Sequence, residues 1–149
     1  MAQQKDKDDV SSQSATTVCE AKSTEEVLPQ PEAFIAEGTA TELQKTDLSQ
    51  GDGAEAKNGD CLVMKYYGTL ASDGTMFDEN YTTAIGFAFT LGSGQVIQGW
   101  DQGLVGMKVG GERRLVIPAN LGYGEAGSPP KIPANADLVF VVKLLRIQK

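Results

Sequence analysis

The most regular alternation of apolar and polar positions lies within residues 91–111. Apolar side chains recur there every three or four residues, at Val96, Ile97, Trp100 and Leu104. This spacing is that of one helical face. A helix of about two to three turns is marginal alone in water, so its apolar stripe must pack onto a larger surface. The pattern therefore predicts a short helix against a sheet, with Trp100, the only tryptophan, at the contact.

Two glycines, Gly99 and Gly103, interrupt this predicted helix. Each costs about 1 kcal/mol of helix propensity relative to alanine. We attribute this cost to a close approach of the helix backbone to a sheet or a ligand, where a side chain would not fit.

Alternating or continuously apolar runs elsewhere in the chain predict β-strands. The strongest is at 138–147, which is long and rich in β-branched residues. Weaker strand patterns occur at 39–48, 61–67, 76–78, 86–91 and 112–117. About five antiparallel strands with one short helix indicate an α+β fold, in which a twisted sheet wraps around the helix and buries both apolar faces.

A long stretch at 118–137 is dense in glycine and proline and shows no periodicity. Loops longer than about 12–15 residues are uncommon in compact domains and are often functional. Tyr123 and Ile132 are the apolar residues of this loop that we expect to point inward.

The first 38 residues differ in composition from the rest of the chain. They hold three lysines, eight acidic residues and only scattered aliphatic side chains. High charge with little to bury predicts a disordered acidic tail over 1–38, followed by one folded domain over 39–149. Phe34 and Ile35 are the candidates for docking onto the domain, although a solvated tail is favoured over a regulatory docking role.

Composition excludes several classes of chemistry. The sequence contains no histidine, which removes Ser–His and Cys–His nucleophiles and the commonest metal ligand. Cys19 and Cys61 make neither a disulfide framework nor a zinc site, and Cys61 is expected to be a small buried apolar residue of a strand. We therefore expect no metal and no cofactor. The net charge of −7 predicts neither nucleic acid nor an anionic membrane as a partner.

No apolar run approaches the roughly 20 residues that span a bilayer. The first residues lack the apolar core of a signal peptide. We therefore expect a cytoplasmic location.

The remaining candidates for chemistry are mainly aromatic. They are Tyr66, Phe77, Phe87, Phe89, Trp100, Tyr123 and Phe140. Such a group is either ordinary core or the lining of an apolar pocket with a few oriented polar groups. In the second case Asp78 and Tyr123 supply the polar groups. Asp78 and Glu79 are neighbours on a strand and point to opposite faces, so they do not form a carboxylate pair.

Three motifs carry a resemblance to a known family: TMFDENY, FTLGSGQVIQGWDQGLVGMKVGGERRLVIPANLGYGEAG and IPANADLVFVVKLL. In combination they resemble the FKBP-type peptidyl-prolyl cis-trans isomerases, the FK506-binding immunophilins, and most closely the small single-domain members. The resemblance covers about residues 39–149. It implies a five- to six-stranded antiparallel twisted sheet wrapped around one short helix, with an apolar pocket between them.

The resemblance also implies a set of site residues. The substrate-binding residues are expected to be Tyr66, Phe77, Asp78, Phe87, Gln95, Val96, Ile97, Trp100, Tyr123, Ile132 and Phe140. The catalytic residues among them are expected to be Tyr66, Asp78, Trp100, Tyr123 and Phe140. The Tyr123 hydroxyl and the Ile97 N–H would donate to carbonyls of the bound chain. The sequence departs from the family pattern at Gln95, Ser128 and Lys131. These positions are expected at the rim of the pocket, so the departures affect which residues are preferred next to the proline.

The implied function is acceleration of X–Pro bond rotation, which assists protein folding. The expected partners are proline-containing polypeptides and macrolides such as FK506 or rapamycin, bound by a monomer. The alternatives are a non-catalytic module that binds proline peptides or macrolides, and a folding helper.

Overall fold

The described residues of the computed structural model, 19–21, 24–36 and 38–148, contain one antiparallel sheet with a short helix against it. The strands are β1 (Gln44–Ser49), β2 (Cys61–Leu70), β3 (Met76–Glu79), β4 (Phe87–Thr90), β5 (Glu112–Ile117) and β6 (Leu138–Gln148). The helix α1 spans Gln98–Gly103, and one turn of 3-10 helix spans Ala119–Leu121. The predicted α+β fold class is confirmed.

The two longest strands, β2 and β6, pair along their whole length at the centre of the sheet. The order across the sheet is β1-β5-β6-β2-β3. The short strand β4 also pairs with β2, so β3 and β4 divide one edge of β2 between them. As a result, residues of β2, β3 and β4 lie close together at this edge of the sheet.

The helix α1 approaches the sheet as closely as its glycines allow. A Cβ on Gly99 would lie 2.6 Å from Cγ2 of Ile117, and one on Gly103 would lie 2.9 Å from Cδ2 of Leu115. The predicted close approach is therefore confirmed, and β5 is the surface approached. Trp100, between the two glycines, is 4% exposed and belongs to the main core cluster.

The helix is shorter than the apolar spacing predicted. Ile97 has extended backbone angles (φ −60°, ψ 151°) and precedes the first helical residue. Val96 and Ile97 are half-buried against the core from outside the helix. Strand β1 begins at Gln44 rather than at residue 39.

A disulfide joins Cys19 to Cys61 across a sequence separation of 42. The expectation that these cysteines form no disulfide, with Cys61 a free apolar residue, was wrong. Two cysteines at this separation carry no spacing signal, because contact between them depends on where the first segment folds. Cys61 is the first residue of β2, and the disulfide brings the segment before β1 onto the sheet.

The described part of that segment contacts the outer face of the sheet, opposite α1. The N–H groups of Glu25 and Leu28 donate to the carbonyls of Ala84 and Tyr81 at 2.8 Å each. The Glu25 carboxylate also accepts two hydrogen bonds from Arg146, at 2.9 and 2.7 Å.

Phe34 packs against the sheet, with the guanidinium of Arg114 3.8 Å from its ring centroid, although a solvated tail was favoured over docking. Ile35, the other docking candidate, is 57% exposed. The tail was predicted to be disordered over 1–38, of which residues 1–18, 22, 23 and 37 lie outside the described residues, and the boundary at residue 39 stays a prediction.

Both edges of the sheet are short or irregular. The outermost strand β1 is exposed along its length and carries Lys45 and Asp47, with an irregularity in its pairing between Asp47 and Ser49. At the opposite edge, β3 and β4 have four residues each. No helix in the described part of the chain is long and apolar enough to cross a membrane.

Candidate active site

A cavity of about 440 Å³ opens between α1 and the face of the sheet that packs against it. Its volume lies within the usual range of small-molecule sites. The lining residues are Tyr66, Phe77, Asp78, Phe87, Gln95, Val96, Ile97, Trp100, Tyr123 and Phe140. The structure therefore brings together ten of the eleven residues that the family resemblance implies at a binding site.

Trp100 packs against rings from several strands. Its ring centroid lies 5.3 Å from that of Tyr66 and 5.2 Å from that of Phe140, both in edge-to-face geometry. Phe87 and Phe89 complete the surround at 5.9 and 5.7 Å. The buried indole nitrogen of Trp100 has no hydrogen-bond partner among the described residues. The surroundings of Trp100 are thus mostly apolar, and its indole N–H is a hydrogen-bond donor without a partner among the described residues.

The wall opposite α1 depends on a glycine that sequence reasoning missed. Phe77 and Phe140 meet edge to face with their centroids 5.5 Å apart. A Cβ on Gly68 would lie 2.7 Å from Cε1 of Phe140 and 2.8 Å from Cζ of Phe77. Gly68 therefore leaves the space that both rings occupy.

The polar groups of the cavity are arranged around Asp78. The Tyr66 hydroxyl donates to Oδ2 of Asp78 at 3.0 Å. Burial raises the pKa of Tyr66, and the hydrogen bond to Asp78 raises it further. Burial, with a contribution from the Asp78 charge, also raises the pKa of Tyr123, which is 40% exposed at the rim. Both phenols therefore remain hydrogen-bond donors at neutral pH.

The cavity also has a main-chain donor beside the helix. Among the described residues, no acceptor pairs with the Ile97 N–H, because Ile97 is extended and lies outside the helical ladder. Gln95, by contrast, uses Oε1 to accept the Thr90 N–H at 2.8 Å, which ties the rim back to β4.

Ile132 is the predicted binding residue that does not line the cavity. It is 4% exposed and belongs to the main core cluster. Its N–H and carbonyl bond reciprocally to those of Ser128, at 3.0 and 2.8 Å, and close the tip of the long loop. Ile132 therefore supports this loop from beneath.

Within the described chain, no three histidine, cysteine, aspartate or glutamate side chains are grouped so that they could hold a metal ion.

The buried phenols give a pH-dependent prediction. Tyr66, Tyr81 and Tyr123 all have a raised pKa, chiefly because of burial. A folded-state pKa above the unfolded value adds stability that is complete below about pH 10 and is lost as the pH rises further. We therefore expect the free energy of unfolding, measured in urea, to fall above that pH. Phenolate absorbance should lag behind that of the unfolded chain, and Tyr81→Phe should remove one late-titrating group. Titration of all the phenols at the ordinary tyrosine pKa in the folded protein would contradict this.

The fold and the cavity define an α+β protein with an open, mainly aromatic cavity between helix and sheet. The sequence profile described as FKBP-type peptidyl-prolyl cis-trans isomerase matches residues 53–145. The chain therefore belongs to the FKBP-type peptidyl-prolyl cis-trans isomerase family, and the resemblance noted from the motifs is confirmed.

Individual relatives agree with this assignment. FK506-binding protein 4 of Rhizopus delemar is 53% identical over 102 residues, which cover 68% of this chain and 26% of that protein. Peptidyl-prolyl cis-trans isomerase FKBP2 of Homo sapiens is 56% identical over 95 residues, covering 64% of this chain and 66% of that protein. Peptidyl-prolyl cis-trans isomerase FKBP15-2 of Arabidopsis thaliana is 52% identical over 95 residues, covering 64% and 58%. The match thus spans a quarter of the fungal relative and about two thirds or less of the other two.

Proposed function

We propose that this chain accelerates cis-trans isomerisation of X–Pro peptide bonds in polypeptide clients, at the cavity between α1 and the sheet, and thereby assists their folding. The observation that carries the proposal is the enclosure of Trp100 by rings from β2, β4 and β6 around a space of about 440 Å³. Such a space suits a prolyl ring and its neighbouring peptide groups.

The reaction needs no acid, base or nucleophile. Rotation about the C–N bond is slow because resonance gives it double-bond character, with a barrier of about 18–20 kcal/mol. Twisting the bond breaks this resonance and withdraws charge from the carbonyl oxygen. The transition state is therefore less polar than the planar amide. An apolar cavity solvates the planar form less well and so binds the twisted form preferentially, which lowers the barrier.

The cavity supplies fixed ends for the rotation. In this proposal the prolyl ring rests on Trp100 between Phe87 and Phe140. The Ile97 N–H and the Tyr123 hydroxyl hold carbonyls on either side of the rotating bond. Asp78 keeps Tyr66 in place through its hydrogen bond. These contacts orient the chain so that one bond turns while its neighbours stay fixed.

The same cavity also supports the proposal that macrolides such as FK506 or rapamycin bind here. The competing function is a module that captures proline segments or macrolides without useful turnover. In that case the cavity would be occupied but exchange would not be faster. A chaperone role separate from isomerisation would instead show as protection of a proline-free client from aggregation.

The decisive measurement is cis-trans exchange of an X–Pro peptide by NMR, with and without FK506 or rapamycin. We expect acceleration by the wild-type protein and its loss when the macrolide is bound. Tyr123→Phe removes one hydrogen bond worth about 1 kcal/mol, so it should lower kcat/KM several-fold while the cavity persists. Macrolide binding without any enhancement of exchange would favour the binding module.

The net charge and the disulfide bear on the partners and the location that we propose. We propose a monomer that binds neither nucleic acid nor membranes, since the net charge of −7 disfavours polyanions and anionic lipid.

The cytoplasmic location stays a prediction. The Cys19–Cys61 disulfide favours an oxidising compartment instead, because such bonds rarely persist among cytosolic thiols.

A further inference from the structure

One edge of β2 has a gap between its two partner strands. Strand β3 pairs with residues 67–69 of β2, and β4 pairs with residues 61–64. Lys65 and Tyr66 lie between these two ladders. The gap matters because the Tyr66 side chain lines the cavity.

Asn80, directly after β3, fills this gap. Its main-chain N–H donates to the Tyr66 carbonyl at 2.9 Å, and its side-chain Oδ1 accepts the Tyr66 N–H at 2.6 Å. Its side-chain Nδ2 donates to the Met64 carbonyl at 3.2 Å. The amide side chain thus continues the hydrogen bonding of a strand where no strand is present.

The second hydrogen of the same amide reaches the other wall. Nδ2 of Asn80 also donates to the Ile85 carbonyl at 3.0 Å, two residues before Phe87. Tyr66 and Phe87 contact each other with their ring centroids 5.9 Å apart, and both line the cavity. Asn80 is 8% exposed and uses both amide hydrogens and its oxygen.

A buried lysine holds Asn80 from the outer side of the sheet. Lys65 has no exposed surface, and its ammonium donates to the carbonyls of Asn80, at 3.1 Å, and Thr83. The main chain of Asn80 is therefore fixed independently of its side chain. A change of the side chain alone should leave the main chain at residue 80 in place, while Ile85 loses its link to the Tyr66 segment.

We propose that Asn80 is a positioning residue for isomerisation, whose side-chain amide fixes the main chain of Tyr66 relative to that of Ile85 and so sets the spacing of two cavity walls. This proposal rests on the proposed function. Asn80-Tyr81-Thr82 also matches the pattern of an N-glycosylation sequon. The side-chain nitrogen that a glycan would need is, however, buried and doubly hydrogen-bonded, which favours the structural use.

The test compares Asn80→Leu with Thr83→Val. Leucine has a similar size but removes all the side-chain hydrogen bonds of Asn80. Valine at 83 removes the Thr83 hydroxyl, which bonds to Asn80 and Ile85 within the same loop, and leaves the Tyr66 contacts intact. We expect kcat/KM for an X–Pro peptide to fall about tenfold in Asn80→Leu, mostly in kcat, because misplaced walls weaken orientation in the transition state. Thr83→Val should stay within about twofold of the wild type.

Hydrogen exchange at the Tyr66 amide gives a second readout. We expect protection of this amide to fall in Asn80→Leu and to persist in Thr83→Val. Asn80→Asp keeps the acceptor for Tyr66 and loses the donors to Met64 and Ile85, so Tyr66 protection should persist while kcat falls. This variant keeps the test available if Asn80→Leu does not fold.

Equal kcat/KM in Asn80→Leu and Thr83→Val, or unchanged Tyr66 protection in Asn80→Leu, would overturn the proposal. A wild-type protein without isomerase activity would instead remove the proposed function. The exchange comparison would then still decide whether Asn80 fixes Tyr66.

Discussion

Trp100→Leu is expected to lower kcat/KM for an X–Pro peptide by roughly thirtyfold, which corresponds to about 2 kcal/mol of transition-state stabilisation. The indole makes edge-to-face contacts with Tyr66, Phe87 and Phe140. Aromatic pairs contribute about 0.5–1.5 kcal/mol each beyond buried area. Leucine keeps the site apolar but leaves the prolyl ring without a flat surface. The measurement is peptide exchange well below the unfolding temperature, together with macrolide affinity, which should weaken in parallel.

Leu104→Ala is the matched control for this variant. Leu104 caps the C-terminal end of α1, is fully buried and does not line the cavity. Its truncation should cost about 2–5 kcal/mol of unfolding free energy, as for other buried leucines. At a temperature where the variant stays folded, kcat/KM should match that of the wild type. Undiminished turnover in Trp100→Leu, or an equal loss of kcat/KM in both variants, would show that the reaction does not depend on the cavity surface formed by Trp100.

Loss of the disulfide is expected to lower stability by several kcal/mol. The Cys19–Cys61 bond closes a loop over 42 residues, and loop-closure entropy for such a length corresponds to about 4 kcal/mol. We expect Cys61→Ser, or reduction of the wild type, to lower the free energy of unfolding in urea by that order. The segment at 24–36 should also become more sensitive to proteases, because fewer links then hold it to the sheet.

The control for this second prediction is the double variant Cys19→Ser with Cys61→Ser. Its stability should not respond to reductant, unlike that of the wild type. Neither cysteine lines the cavity, so its peptide exchange rate at moderate temperature should be unchanged. Equal urea midpoints for the oxidised and reduced wild type would refute the predicted contribution of the tether.

The helix and its contact with the sheet could be predicted because they depend on local spacing. Gly99 and Gly103 signalled a close approach, and both face side chains of β5. The start of the helix was harder to place. The three- and four-residue spacing at Val96 and Ile97 also occurs when an extended turn packs beside a helix, and spacing alone does not separate the two cases.

The missed features all depend on contacts between distant segments. Gly68 looks like an ordinary strand glycine until Phe77 and Phe140 are placed beside it. The role of Asn80 follows from a gap between β3 and β4, which the local sequence pattern does not show. The disulfide could not be predicted without knowing that Cys19 lies beside the start of β2. The residue type of Asn80 was the available signal, since an asparagine side chain can bond to main-chain groups in place of a ladder.

The edges of the sheet bear on how such a protein handles its clients. Unfolded polypeptides carry unpaired strands that can add to any long, flat sheet edge and seed aggregation. In this sheet the edge strand β1 bears charged side chains and an irregularity in its pairing, and the opposite edge is divided between β3 and β4, with four residues each. Under the proposed function, neither edge would offer a client bound at the aromatic cavity a template for permanent strand addition, so the client could leave again.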